Sequence, residues 1–207
     1  MNELGFIPVT LIPVLWIVSS YLLGSISFGI LVCKLFGLPD PRTVGSGNPG
    51  ATNVLRSGKK FAALLTLIGD ALKGWFPVWL AFHNNMLMWV ISYAGFAVFL
   101  GHLYPVFYRF KGGKGVATAL GVMLAISPLL GLAAVLTWGL VFLLFRYSSL
   151  AAIVAAFSAP FYAYLLLRPY KDYIILVFVL ALFLIWRHKT NIKKLLSGTE
   201  SSFRKTS

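Results

Sequence analysis

An all-α fold, a polytopic bundle of about seven membrane-spanning helices, is what this sequence predicts. Its N-terminus is expected outside and its C-terminus in the cytoplasm. Two compositional observations and one pattern lead there. Of the 207 residues, 59% are hydrophobic and only 11% are charged, where a soluble domain averages about 25% charged residues. Mean hydropathy is +0.86, so hydrocarbon rather than water is the main solvent. The apolar residues fall into runs near the roughly 20 residues a helix needs to cross a bilayer. The chain is read throughout, 1–207, as a single integral membrane domain with no internal repeat, linker or second soluble unit.

The first run, about Pro13 to Phe36, follows a start (Met1 to Gly5) that lacks a basic leader, so it reads as a retained helix and not a cleaved signal. Further spans are expected at about Phe61–Phe82 and Met86–Phe107, the latter reached through the short outer turn His83-Asn84-Asn85. A short fourth run, Val116 to Ile126, ends at Ser127-Pro128. Leu129–Phe145, Leu150–Leu167 and Tyr173–Trp186 complete the series.

Charge supports this topology. The chain carries 18 Lys and Arg against 5 Asp and Glu, a net charge of +13. With seven crossings the inner segments are 34–60, 108–115, 146–149 and 187–207. They collect fifteen of those cations, Arg204 and Lys205 included, and leave Arg168 and Lys171 outside and Lys73 within a span. Short cytoplasmic loops rich in Lys and Arg are what insertion favours. A nucleic-acid partner would need the basic face of a soluble fold, and none is expected. A single cysteine, Cys33, builds neither a disulfide framework nor a thiolate metal site.

Chemistry is therefore sought in the inner segments. Pro41 to Arg56 holds Gly45-Ser46-Gly47-Asn48, with Asn48 placed to cap a helix starting at Pro49. Thr52, Asn53 and Arg56 would share a face of that helix. Free N–H groups at a helix start, the Ser46 hydroxyl and an arginine make an anion site. In Lys111-Gly112-Gly113-Lys114-Gly115 the glycine N–H groups are expected to form a nest for phosphate oxygens beside the Lys114 charge. The loop lacks the Walker A spacing, so ATP is not implied. Arg187 to Glu200 reads either as a basic tail on anionic lipid or as a site segment, with His188 and Asn191 one helical turn apart. Arg146-Tyr147-Ser148-Ser149 reads as a helix cap after a stop-transfer arginine. Asp70 and Lys73 lie at depth, either as a structural pair or as functional groups. His102 reads as a packed histidine.

Acids are scarce, and no carboxylate pair, metal cluster or nucleophile elbow is present. No metal or other cofactor is expected. An inventory rich in phosphate binders and poor in bases points to catalysis by positioning and charge. A transporter would need cations along the path. A lipid phosphatase or CDP-alcohol transferase would need acidic or histidine clusters.

Taken together, these motifs resemble the bacterial acyl-phosphate:glycerol-3-phosphate acyltransferases, the PlsY family. The resemblance covers nearly the whole chain: Gly45-Ser46-Gly47-Asn48-Pro49-Gly50-Ala51-Thr52-Asn53, Gly101-His102 with Pro105-Val106-Phe107, Lys111 to Thr118, Arg146-Tyr147 with Ser149, and His188 with Asn191-Ile192, Gly198 and Glu200. It implies transfer of a fatty acyl group from acyl phosphate, not acyl-CoA or acyl carrier protein, to the 1-hydroxyl of glycerol 3-phosphate. The product is 1-acylglycerol 3-phosphate, the first acylated intermediate of phospholipid synthesis, made at the cytoplasmic side of the inner membrane. It also implies site residues. Arg42, Ser46, Gly47, Asn48, Asn53, Arg56, Gly112, Gly113, Lys114, Ser149, His188 and Asn191 are expected to bind substrate, with Ser46, His188 and Asn191 at the chemistry and Glu200 structural. Membrane lipid is the expected surrounding. The number of copies is left open, a monomer included.

Overall fold

The computed structural model describes residues 11–203, so the expectations for Met1 to Gly5, Arg204 and Lys205 lie outside the described residues. Every regular element among the described residues is helical. In chain order the α-helices are α1 (Ile12–Gly24), α2 (Phe28–Leu35), α3 (Ala51–Arg56), α4 (Lys60–His83), α5 (Met88–Leu103), α6 (Val116–Ile126), α7 (Pro128–Phe145), α8 (Ser148–Leu166), α9 (Lys171–Arg187) and α10 (Lys189–Leu196), with a 3₁₀ turn at Val106–Tyr108 between α5 and α6.

Three helices (α4, α7 and α8), and α5 taken with the 3₁₀ turn that follows it to Tyr108, are long and apolar enough to cross a bilayer, and six spans result if α1–α2 and α9–α10 each count as one bent span. The expected fourth run, α6, has 11 residues, about 16 Å of helix, short of the roughly 30 Å hydrocarbon core. It turns back at Ser127, whose side chain caps α7 by accepting from the Leu130 N–H, with Pro128 in the first turn.

The first span is not continuous as the sequence reading had it. α1 and α2 meet at 42°. Gly24 lies with its Cα directly on the Val98 carbonyl of α5, and Ser27 is extended. The break would strand the Ile26 carbonyl among apolar side chains, at a cost of several kcal/mol. Lys73 Nζ donates to it at 2.6 Å, which removes that penalty.

Glycines bring the inner helices together. A Cβ at Gly101 would strike the Tyr21 carbonyl, one at Gly74 the Thr118 carbonyl, and one at Gly121 the Ala71 carbonyl. These contacts join α1 to α5 and α4 to α6, the small-residue packing that membrane helices use when water supplies no hydrophobic drive. Val78, Val98, Phe99, Leu103, Val122 and Leu130 fill the space between and are fully buried. α7 and α8 pack through alanines (Ala134, Ala152, Ala156, Ala159, Ala163), while Leu132, Leu136, Leu140 and Leu143 of α7 face outward.

Candidate active site

Four sequence-distant segments converge at the end of the bundle where α4 begins and α5 finishes. The first is the loop before α3. Asn53 is buried, and its side chain is fully committed to this loop. Nδ2 donates to the carbonyls of Pro41 at 2.7 Å and Val44 at 3.0 Å, and Oδ1 accepts from the Ser46 N–H at 2.9 Å. Asn53, read as a ligand, thus shapes the turn that presents Ser46. Gly45 and Gly47 both have positive φ, the conformation glycine adopts at no steric cost. The expected cap at Asn48 is not formed. α3 starts at Ala51 with extended Gly50 as its cap residue, because the Pro49 carbonyl is pressed on Gly29 of α2 and holds the chain out of helical geometry. Arg42 is drawn off to Asp40 in a bidentate pair and stands over the Tyr108 ring. It lines neither cavity described below. The pairing holds the Asp40 carboxyl below its ordinary range, chiefly through the Arg42 hydrogen bonds.

The glycine loop also differs from the open nest expected of it. The Gly113 N–H donates to the His102 carbonyl at 3.1 Å, and the Gly112 and Gly113 carbonyls accept from Arg187 at 3.0–3.2 Å. Arg187 stacks over Tyr104 as well. The loop is thus clamped by an arginine to which the sequence reading assigned no such role, and it presents Lys114 rather than a row of free amides.

Lys114, Asn191, Glu200 and Ser149 form one chain of contacts. Lys114 Nζ donates to Asn191 Oδ1. Asn191 Nδ2 and Ser149 Oγ both donate to Glu200 Oε1, each at 2.8 Å. Ser148 meets Thr52 at 3.1 Å. The two serines therefore tie α8 to the rim instead of capping it, and α8 begins after Tyr147 with no side-chain cap. Arg56 stands over Phe203 and reaches the Ser201 carbonyl, which draws the final segment across the same end.

His188 sits in the break past the end of α9. Its Nδ1 faces the Leu184 carbonyl at 2.8 Å. A carbonyl only accepts, so Nδ1 carries the proton and Nε2 is left as an acceptor. Burial, then the neighbouring Lys114 charge, pushes its pKa down to about 4 against the Leu184 bond, so the ring is neutral at pH 7. Burial also brings Lys114 down to about 8, opposed by Glu200 and helped by Arg56 and Arg187.

Two cavities open on this end, and Lys114 belongs to both. The smaller, about 220 Å³, is polar and lined by Ser46, Gly47, Asn48, Gly112, Lys114, Arg187 and Lys189 among others. The larger, about 380 Å³, shares Ser46, Asn48 and Lys114 and adds Arg56, Ser149, His188, Asn191 and Glu200 at its mouth. It then runs between α6, α7 and α8 past Val116, Leu120, Trp138 and Ala152 to Met123, Ala134 and Ala156. At depth Asp70 pairs with Lys73 at 2.8 Å, and His102 Nδ1 lies 3.5 Å from the same carboxylate oxygen. Sequence reading had kept Asp70 and Lys73 as a possible pair but treated His102 separately. Arg187, Lys189, Thr52 and Ser148 lie in the segments the sequence singled out but were not among the residues expected to bind substrate.

The fold and these cavities define an integral membrane protein with a cationic rim beside an apolar slot. Residues 14–198 match the family described as glycerol-3-phosphate acyltransferase. The chain is 69% identical over 192 residues to the glycerol-3-phosphate acyltransferase of Methylobacillus flagellatus, covering 93% of this chain and 97% of that one. It is 56% identical over 195 residues to the enzyme of the same name from Nitrosospira multiformis, covering 92% and 96%. The crystal structure of PlsY, an integral membrane glycerol 3-phosphate acyltransferase, in its glycerol 3-phosphate form superposes with a TM-score of 0.88 at 44% identity, covering 93% of this chain and 96% of that one. The lysophosphatidic acid form gives 0.86 at 42% identity, covering 93% and 95%. The chain belongs to the glycerol-3-phosphate acyltransferase family, and it is a membrane acyltransferase.

Proposed function

We propose that this chain, acting as one domain, transfers a fatty acyl group from acyl phosphate to the 1-hydroxyl of glycerol 3-phosphate. It releases lysophosphatidic acid and phosphate at the cytoplasmic face of the bacterial inner membrane. The observation that carries this reading is Lys114 standing between a polar chamber and an apolar one. One cation at the junction of a water-side and a lipid-side cavity suits two substrates that each bring phosphate, only one of which brings a hydrocarbon tail. The related structures in glycerol 3-phosphate and lysophosphatidic acid forms support the choice of acceptor and product. The rim cations agree with a cytoplasmic site and an N-terminus outside. The paired Asp70 and Lys73 do not suit a transport path.

In this scheme the acyl tail occupies the slot between α6, α7 and α8, and its phosphate meets Ser46 and Arg56. Glycerol 3-phosphate enters the polar chamber against Gly112, Lys114 and Arg187. Asn191 and Ser149, held by Glu200, and the acceptor Nε2 of His188 orient the hydroxyl. The hydroxyl oxygen attacks the acyl carbonyl carbon, the ester bond forms, and the bond from that carbon to the phosphate oxygen breaks. The proton passes to the departing phosphate. A neutral imidazole with a pKa of about 4 is a weak general base, which favours the substrate's own oxygen as acceptor. His188→Ala should then raise KM for glycerol 3-phosphate more than it lowers kcat, whereas near-abolition of kcat at saturation would make His188 the base. The reaction itself is tested by mixing purified protein with acyl phosphate and labelled glycerol 3-phosphate, without CoA or carrier protein. Labelled lysophosphatidic acid is expected. Product that appears only when acyl-CoA is supplied would overturn the proposed donor.

A further inference from the structure

We infer that Asp70, Lys73 and His102 form a positioning network that fixes the Lys114 loop relative to the Ser46 loop, and so sets acceptor affinity. The inference rests on the proposed binding of glycerol 3-phosphate at Lys114.

The three side chains are nearly inaccessible, at 2%, 3% and 7% exposure. Ionisable groups at such depth in a membrane protein are expensive, and an apolar core of the same volume would usually be as stable or more so. Packing alone therefore does not account for them. Their contacts run to both loops. On one side, the His102 carbonyl accepts the Gly113 N–H, and its ring lies so close to Gly113 that a Cβ there would collide with Nε2. Gly112 is likewise pressed on the His102 carbonyl. The two residues preceding Lys114 are in effect moulded on His102. Asp70 faces that histidine from the other end of its ring, Oδ1 lying 3.5 Å from Nδ1, an electrostatic approach in which neither atom completes a hydrogen bond.

On the other side, Lys73 ion-pairs with Asp70 and donates to the Ile26 carbonyl in the α1–α2 break. Two residues on, Phe28 packs its ring on Gly69 and lies under the Lys73 ammonium. Gly29 then carries the Pro49 carbonyl, one residue from Asn48 of the anion loop. One carboxylate thus sits between two chains of contact, each ending at a phosphate-binding segment. Asp70 also lines the larger cavity, with His102, so a shift in either would be felt where the two chambers meet. The network does not require that any of the three touch substrate.

The experiment compares His102→Asn, His102→Leu, the charge-balanced double variant Asp70→Leu/Lys73→Met, and Lys114→Met. Thermal stability, kcat and KM are measured for both substrates. Asn places an amide donor where His102 Nδ1 stands, and the double variant removes the charges without leaving one unpaired. His102→Leu and the double variant are expected to raise KM for glycerol 3-phosphate about tenfold, with a smaller change in kcat and in KM for acyl phosphate. His102→Asn should stay close to the parent. Equal defects in His102→Asn and His102→Leu, or lowered thermal stability with unchanged KM, would reduce the network to a packing element and overturn the inference. Lys114→Met separates the two readings. If it raises KM for glycerol 3-phosphate while His102→Leu does not, the inference fails and the binding assignment stands. If Lys114→Met leaves KM unchanged, the binding assignment itself fails.

Discussion

The two sides of the bundle are built on different rules. In α4 half of the residues of the span are buried, and in α7 only 17% are. The α1, α4, α5 and α6 side is drawn together at glycines whose backbones touch neighbouring carbonyls, and it encloses the buried charges. The α7 and α8 side is a pair of alanine-lined helices with leucines turned to the surroundings. The glycine-packed side carries the Ser46 and Lys114 loops, since α2 supports the first through Gly29 and Pro49 and α5 the second through His102. The other side forms the wall of the apolar slot. On the proposed scheme, charge placement, which demands tight tolerance, falls to the closely packed half, and accommodation of a hydrocarbon tail to the plainer one.

Substituting glycines in each half should break this contrast most visibly. Gly121→Val would drive a side chain into the Ala71 carbonyl of α4 and is expected to cost about 3 kcal/mol, with loss of folded protein and activity. Gly139→Val in α7 meets nothing within 4 Å and should stay within about 0.5 kcal/mol of the parent. Thermal unfolding of both variants in one detergent checks the pair, and equal effects would erase the distinction. A smaller effect is expected from Ala156→Phe at the inner end of the slot. It should shift the preference for short over long acyl chains about tenfold and leave KM for glycerol 3-phosphate unchanged, as a chain-length series of donors would reveal.

The smallest effect concerns pH. In its proposed role Lys114 would bind an anion only when protonated, and its pKa of about 8 lies below the ordinary value of 10.5. Its proton is lost as pH rises through about 8, so kcat/KM for glycerol 3-phosphate should fall above that pH and stay level just below it. Lys114→Arg, which keeps its charge, should remove the break even if overall affinity drops. A profile level to pH 10 in the parent would mean that Lys114 is not the titrating contact.

Much of the architecture was legible because hydropathy and charge segregation are properties of long windows. α4, α5, α7, α8 and α9 stand within about two residues of the expected spans at most of their ends. The break at Ser25–Ser27 was hidden, since it lies inside one long hydrophobic run and the lysine that satisfies its free carbonyl is 47 residues away. Of the site, the segments were legible and the roles less so. Ser46, Asn53, Lys114, His188 and Asn191 line one cavity, Asn53 while bonding within its own loop, whereas Arg42 is paired with Asp40 and lines neither cavity. Arg187 was unremarkable in sequence because a cation at a span end is what topology alone requires. The carbonyls it serves are 74 and 75 residues away, beyond any local pattern. The His102–Asp70 approach was missed for the same reason.

The central claim is that two adjoining chambers, with Lys114 shared between them, hold the two substrates at the same time. Equilibrium dialysis of labelled glycerol 3-phosphate tests it, run with and without a saturating, unreactive acyl phosphonate in the donor's place. Retained or strengthened binding of glycerol 3-phosphate is the predicted result. Competitive displacement by the phosphonate would mean a single chamber serving both substrates in turn, and would contradict the account.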